Sequence, residues 1–536
     1  MPISSLPSPY GIGTLGAAAY EFVDFLKEAK QSWWQMLPVG PTSHGDSPYQ
    51  SFSTYAGNPY FVDLDMLCED GLVTQEELDA MEWGSNPQYV DYEKIYQSRF
   101  VVLKKAMDRG WNKYLNEVQA FIDKNHDWLP DYALYMAVKR HFGMKAWTEW
   151  DEDIRMREPA AVKRYQNLLA EDMRLFAFIQ FLFFRQWEKL RDYAHKNGVG
   201  IIGDMPIYVA MDSADVWSDP KSFQLDEKNV PVEVAGVPPD YFSEDGQLWG
   251  NPLYNWDGMK EDGYSWWIRR IGGAAKLYDV LRIDHFRGLE SYWAVPYGET
   301  TAKKGHWIKG PGMDLVGVLT KTFPEIQFIA EDLGFLTPEV HELLEDSGLP
   351  GMKVLEFAFD SREPSDYLPH TYPRNCVCYA GTHDNATIMA WKNEAAEDDI
   401  AMAHLYLGLN EADYADVELP FADHAKIGSY AIPAIKALYT EGIINGSTGS
   451  DGKIYFNPNN SLTRAQAATM IGRTQEKGYA SVDLSFADGA KIPAYAADYI
   501  RTMAAQGVIS GYTDGTFKPN NPITRGQMAK ILYNLM

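Results

Sequence analysis

Arg282 and Asp284 stand two residues apart at the end of an apolar run formed by Tyr278, Val280, Leu281 and Ile283. The run reads as a short buried strand, and a spacing of two along a strand puts the guanidinium and the carboxylate on one face. An adjacent guanidinium lowers the pKa of a carboxylate and orients it, which is what a carboxylate nucleophile requires. Alone, such a pair is more often a structural ion pair at a strand end. Two further apolar runs change that weighting. Phe328-Ile329-Ala330 delivers Glu331 and Asp332, and the run at residues 376–382 delivers His383 and Asp384. Retaining glycoside chemistry needs a carboxylate nucleophile and a protonated carboxyl about 5 to 5.5 Å apart across the sugar. Asp284 suits the first role. Glu331, on a buried strand near another carboxylate, suits an acid whose pKa is raised. Asp384, beside His383, suits a third group that binds sugar hydroxyls in the distorted transition state.

Those groups need a scaffold that presents strand ends side by side. Apolar strands are expected at residues 33–39, 200–209, 280–286, 328–333, 352–359 and 376–382, separated by helical or loop segments, and several end in polar groups. Strand and helix alternating, with chemistry at successive strand ends, is the pattern of a (β/α)₈ TIM barrel, an α/β fold. Thr74-Gln75-Glu76-Glu77 is a capping box, and from it to about residue 196 the chain reads as mostly helical, an insertion subdomain at about 70–198. Within it residues 175–187 are apolar nearly all round, which fits a buried helix. A long segment at about 210–258, with Tyr208 just before it, gathers Trp217, Tyr241, Phe242, Gln247, Trp249, Asn251, Tyr254, Asn255 and Trp256 and reads equally as a substrate lid loop or as a packed surface loop. Gly11-Ile12-Gly13-Thr14-Leu15-Gly16 matches G-x-G-x-x-G, but it follows the turn-rich Pro7-Ser8-Pro9-Tyr10 rather than a strand, so nucleotide binding is not expected there.

Composition sets the bounds. The 536 residues carry 48 Lys and Arg against 74 Asp and Glu, a net charge of −26 that repels nucleic acid and anionic membrane surfaces. Three cysteines, Cys68, Cys376 and Cys378, supply neither a disulfide framework nor a four-ligand zinc site; Cys376 and Cys378 are expected in the core. No basic and then apolar leader and no run of 18 apolar residues is seen, so the cytoplasm is the expected location.

The segments SPYGIGTLG, GDSPYQSFSTYAGNPYFVDL, GDMPIYVAMDSADVW, AGVPPDYFSEDGQLWGNPLYNW, LRIDHFRGLESYW, IAEDLG, LPGMKVLEFAFD and YAGTHDN resemble the amylomaltases, the 4-alpha-glucanotransferases of glycoside hydrolase family 77. The resemblance covers residues 1–408. It implies disproportionation of α-1,4-glucans and maltooligosaccharides, with Asp284 as nucleophile, Glu331 as acid/base and Asp384 as transition-state stabiliser. It also implies substrate-side roles for Arg282, His383 and Asp332, for Trp249 and Gln247 on the lid, and for Ser47 and Tyr49 near the acceptor, with no metal or organic cofactor. Against the family's pattern most of the first barrel strand is missing, and after residue 408 the seventh helix and eighth strand are not found. Both absences fall on one seam, so an unclosed barrel is expected.

From about residue 411 small residues and turns dominate and a repeat emerges. Phe421-Ala422-Asp423 recurs as Phe486-Ala487-Asp488, Gly442 as Gly507 and Thr463-Arg464 as Thr524-Arg525. After a linker at 409–420, residues 421–475 and 484–536 resemble surface-layer homology (SLH) modules. That resemblance implies binding of secondary cell-wall polysaccharide, with Arg464 and Arg525 as candidate contacts, and a cell-surface location as the alternative to the cytoplasm. The alternative function for the whole chain is a non-catalytic cell-wall or glucan-binding protein with a degenerate barrel.

Overall fold

In a computed structural model of the chain, residues 1–86, 88–239, 243–334, 336–362, 365–407, 417–474 and 486–535 are described. The lid residues Tyr241 and Phe242, most of the expected linker and positions 475, 484 and 485 lie outside them. The chain divides into two compact units, Met1–Val354 with His370–Tyr379, and Leu355–Pro369 with Ala380–Met536.

The strands of the first unit are β1 (Trp33–Gln35), β2 (Gly200–Met205), β3 (Glu233–Val237), β4 (Gln247–Pro252), β5 (Val280–Ile283), β6 (Ser291–Pro296), β7 (His306–Lys309), β8 (Gln327–Ala330), β9 (Gly351–Val354) and β10 (Cys376–Tyr379). β1, β2, β5 and β8 lie side by side in parallel, and β9 and β10 form a parallel pair. The Ala330 N–H donates to Pro350 O at 2.9 Å, continuing the wall from β8 toward β9. Ile202, Val280, Ile329 and Met352 form one apolar layer against which Val377 and Tyr379 pack, so β2, β5, β8, β9 and β10 contribute apolar side chains to a shared interior. This is the parallel wall of a (β/α)₈ barrel. Among the described residues no ladder runs from β10 back to β1.

The strands are shorter than the apolar runs that announced them, for local reasons. β1 stops before Pro38, which has no N–H for a ladder. β5 stops because the chain turns at His285, whose φ is +54°. β9 gives way at Leu355–Ala358 to a 3₁₀ turn. Cys376 and Cys378 are corrected from core to surface positions: they alternate with the inward Val377 and Tyr379, so Cys376 is half-buried and Cys378 exposed.

The insertion is helical as expected. Thr74 and Glu77 form the capping box, and the long helices are α2 (Tyr92–Lys113), α3 (Leu129–His141) and α4 (Ala170–Lys196), preceded in the chain by α1 (Ala17–Glu28). The run 175–187 in α4 is buried except for Arg185. Its two buried glutamines are not misplaced. Gln180 exchanges hydrogen bonds of 2.7 and 2.9 Å with the Gly57 backbone, and Gln186 does so with Asp63 at 2.7 and 3.1 Å. Each amide satisfies a loop backbone that has no ladder partner, fixing the segment 57–63 against the core. Gly57 is required there, since a Cβ would sit 2.0 Å from the Phe183 ring.

The expected lid loop is more ordered than a loop. β3 and β4 pair antiparallel, and with β6 and β7 they make a four-stranded sheet in the order β4-β3-β6-β7. Its approach is anchored by Asp212, which accepts from Lys139 Nζ at 2.5 Å and from the Tyr135 hydroxyl at 2.6 Å. Asn251 Nδ2 donates to Val209 O at 2.8 Å, and Gln50 Nε2 donates to Asn251 Oδ1 at 3.1 Å, tying β4 to the loop after β1. Gly16 caps α1, and no strand precedes the glycine motif.

In the second unit the repeated segments carry α5 (Ile432–Thr440), α6 (Arg464–Arg473), α7 (Ala494–Ala505) and α8 (Arg525–Leu535). Asp423 accepts from the Phe456 and Asn457 N–H groups, both at 2.8 Å, and Asp488 accepts from Phe517 and Lys518 at 2.7 and 2.8 Å. The Phe-Ala-Asp landmark is thus a backbone clamp used twice.

Candidate functional site

The register places Asp204 of β2 directly across from Arg282 of β5, so their side chains emerge together. Arg282 Nη1 lies 2.7 and 2.8 Å from the two oxygens of Asp204 and 2.9 Å from Asp284 Oδ1. The Tyr49 hydroxyl donates to Asp204 Oδ2 at 2.6 Å, and Arg282 Nε approaches Met352 Sδ at 3.3 Å. The Arg282 and Asp204 side chains are almost wholly buried, whereas Asp284 keeps 28% of its exposure. A buried guanidinium thus bridges an inner carboxylate that holds it and an outer one that it presents.

Glu331 is fixed by backbone rather than by charge. His285 N–H donates to its Oε2 at 2.7 Å and Leu333 N–H to its Oε1 at 2.8 Å. Its own N–H donates to Ile283 O at 3.0 Å, and its carbonyl accepts from Phe286 N–H at 3.0 Å. The left-handed His285 makes this possible by turning its amide toward Glu331 immediately after Asp284. A non-glycine residue in that region stores backbone strain, which is found at working sites more than elsewhere. Trp249 of the lid sheet meets the His285 ring edge to face at 4.8 Å, and the Trp249 Nε1 donates to Gln247 Oε1 at 3.0 Å.

The electrostatics differ from the expectation for Asp284. Burial and then the Asp204 charge raise its pKa to about 7, with Arg282 pulling the other way and Glu331 adding to the rise. Burial outweighs the pull of the guanidinium, which is also shared: Asp204 engages it with both oxygens. Burial also raises Glu331, against the opposing pull of Arg282 and of the Leu333 and His285 amides. Burial alone would lower Arg282, but the three carboxylates outweigh it and the guanidinium is raised. His285 is lowered by burial and by Arg287, so its imidazole is neutral at pH 7. The arrangement is two carboxyls at neighbouring strand ends, both raised above the ordinary carboxylate range by burial, as acid/base and nucleophile roles across one bond demand.

The other expected residues fall as follows. Ser47 Oγ accepts from the Tyr49 N–H at 3.2 Å, placing both in the loop over Asp204. Asp332 points away from Glu331 and accepts from Met352 N–H at 2.5 Å; Gly351 leaves room for it, since a Cβ there would lie 2.6 Å from Asp332 Oδ2. Asp384 and His383 belong to the second unit, where His383 Nε2 lies 3.3 Å from Asp384 Oδ1 and the Asp384 side chain is 72% exposed. Arg464 is engaged within the repeats themselves. Only 7% exposed, it donates from Nε to Phe517 O at 2.8 Å and from Nη2 to Ser510 O at 3.2 Å, with its guanidinium over the Tyr512 and Phe517 rings. Arg525 opens α8, and its side chain lies outside the described residues. Asp204 is legible in the sequence as a polar group on the strand expected at 200–209, but its pairing with Arg282 is not. Among the described residues no group of three His, Cys, Asp or Glu side chains is arranged to hold a metal ion, and no helix is long and apolar enough to cross a membrane.

A parallel barrel that presents two such carboxyls at adjacent strand ends beneath an aromatic lid defines the class: an enzyme of the (β/α)₈ type acting on glycosidic bonds. The family profile of glycoside hydrolase family 77, 4-alpha-glucanotransferase, matches residues 1–432, and the S-layer homology domain profile matches 420–468 and 485–529. The 4-alpha-glucanotransferase of Clostridium butyricum is 49% identical over 392 residues, 73% of this chain and 80% of that protein. That of Thermus thermophilus is 45% identical over 457 residues, 82% and 90% of the two chains. The amylomaltase of Streptococcus agalactiae, solved in complex with acarbose, superposes with a TM-score of 0.74 at 43% identity, covering 76% of this chain and 83% of that one. The chain belongs to the 4-alpha-glucanotransferases of glycoside hydrolase family 77. Its C-terminal repeats are S-layer homology domains, modules of cell-surface association.

Proposed function

We propose that the chain transfers α-1,4-glucan segments between maltodextrins by a retaining double displacement, with Asp284 as nucleophile and Glu331 as acid/base. The observation that carries this reading is the shared guanidinium: Arg282 presents Asp284 at 2.9 Å while the amide of the next residue, His285, holds Glu331 at 2.7 Å. Glu331 protonates the glycosidic oxygen as Asp284 attacks C1, releasing the reducing-end fragment and leaving a glucosyl ester on Asp284. Glu331, now a carboxylate, takes the proton from the 4-hydroxyl of an incoming glucan, whose oxygen displaces Asp284 and regenerates both groups. Trp249 and Gln247, on the lid, cover the bound glucan and exclude water, and Asp384 keeps the role of transition-state stabiliser that the family resemblance implies. Near the acceptor side, the Tyr49 hydroxyl holds the inner carboxylate Asp204 and Ser47 accepts from the Tyr49 amide.

Maltotriose separates the outcomes. Glucose with a ladder of longer maltodextrins is expected. Maltose and glucose without a ladder would replace transfer by hydrolysis, and unchanged maltotriose would favour a glucan-binding protein. For the repeats the reading is attachment to secondary cell-wall polysaccharide at the surface, tested by sedimentation of the full chain with cell-wall sacculi; a chain that stays in the supernatant would overturn it.

A further inference from the structure

The two S-layer homology repeats are unequally covered, and the difference names what is missing. Helix α6, which closes the first repeat, packs into the core of the second: Ala465 (0% exposed), Ala468 (1%) and Ile471 (9%) share a cluster with Ala496, Ile500, Met503 and Val508. Residues 462–465 run along the second repeat's loop, with Ile523 N–H donating to Leu462 O and Arg464 N–H to Asn521 O, both at 2.9 Å. Arg464 then locks the contact through Phe517 and Ser510.

The same elements exist a second time without each other. Helix α8 has the α6 sequence pattern 61 residues on, yet its Gly526 and Ala529, which correspond to Ala465 and Ala468, are exposed, and its Leu532, corresponding to Ile471, is 51% exposed. The receiving face of the first repeat is equally uncovered. Ala431, Leu438, Ile443 and Phe456 are half-buried, whereas their counterparts Ala496, Met503, Val508 and Phe517 are all buried. The sequence also fits the two faces to each other. In the covered pair Gly472 makes room for Tyr499, a Cβ there meeting the tyrosine ring at 2.5 Å. In the uncovered pair the helix carries Tyr533 at the glycine position, and the receiving face carries an exposed Ala434 at the tyrosine position. Large and small are exchanged together, which complementary packing requires and an unrelated surface does not.

We propose that α8 of one chain docks on the α5 face of the first repeat in a second copy of this chain, reproducing between molecules the α6 on α7 contact within it. Donor and acceptor faces sit on different repeats of the same molecule, so the contact is head-to-tail and can propagate. This inference is independent of the barrel's chemistry.

The test is the mass of the full chain by analytical ultracentrifugation over a concentration series. Self-association is expected. Leu532→Arg on the donor and Ala434→Tyr on the acceptor, both exposed positions, should each weaken it by about tenfold or more. Mixing those two variants should give a dimer and nothing larger, because only one competent interface remains. Adding Tyr533→Gly to Ala434→Tyr should restore association by copying the Gly472 and Tyr499 pair. A chain that stays monomeric throughout, or an oligomer indifferent to both variants, would overturn the proposal.

Discussion

Replacing Asp204 by asparagine should move the acidic limb of the pH profile, and the structure fixes the direction. Asp204 and Asp284 both lie within 3 Å of Arg282 Nη1, so their nearest oxygens are no more than about 6 Å apart. At an effective dielectric of about 20, two unit charges at that distance repel by about 3 kcal/mol, equivalent to about 2 pKa units. Burial is the larger cause of the Asp284 rise to about 7, and Asp204 the second. Asparagine removes the charge, keeps the shape and still offers an oxygen to the Tyr49 hydroxyl, and it leaves Arg282 with Asp284 as its near partner. Asp284 must be ionised to attack, so activity rises with pH through its pKa. The Asp204→Asn limb in kcat/KM should therefore shift toward acid by up to about 2 pH units. Because Asp284 sits among the charges of Asp204, Arg282 and Glu331, the displacement of the limb rather than its absolute position is the readout. The assay is the initial rate of glucose release from maltotriose across pH 4 to 9, with a thermal melt to confirm folding. A folded variant whose acidic limb stays in place would refute the shared-guanidinium reasoning.

Other substitutions probe separate parts of the account. Glu331→Gln should lower transfer by about 10² to 10⁴ while leaving attack on a donor with a fluoride leaving group far less affected, since fluoride needs little proton assistance; equal losses on both donors would contradict the acid role. Trp249→Ala, removing the ring that covers His285 at 4.8 Å, should raise the share of glucosyl transferred to water, read as reducing ends gained per maltotriose consumed; an unchanged share would remove Trp249 from the lid's work. Arg464→Ala should destabilise the repeats by about 3 kcal/mol in denaturant melts, because two charge-assisted hydrogen bonds are lost. Arg464→Lys should not recover this, lacking the planar fork; a melt unchanged by either would return Arg464 to the ligand-binding candidates.

The helical insertion was readable because its signals are local: the Thr74 capping box and the apolar periodicity both act within a few residues. The pairing of Arg282 with Asp284 was readable for the same reason. Asp204 was not, because its meeting with Arg282 depends on the register between strands 78 residues apart, and no local pattern states a register. The upward shift of Asp284 was missed for a like reason, since its first cause is burial and its second the Asp204 charge, both tertiary facts. Gln180 and Gln186 interrupt the apolar run of a buried helix, and their service as backbone partners depends on the distant loop 57–63. In the repeats the Thr-Arg landmark was visible, but burial of Arg464 beneath the other repeat is a tertiary fact. Likewise Cys376 and Cys378 sat in an apolar run whose inward face belongs to the alternate residues.

The central claim is that Asp284 carries the glucan between the two half-reactions. Glu331→Gln incubated with α-maltosyl fluoride, quenched and digested, should yield by mass spectrometry a peptide spanning residues 280–288 with a maltosyl adduct on Asp284. An adduct on Asp204 or Asp332, or fluoride release with no adduct on any carboxylate, would contradict it.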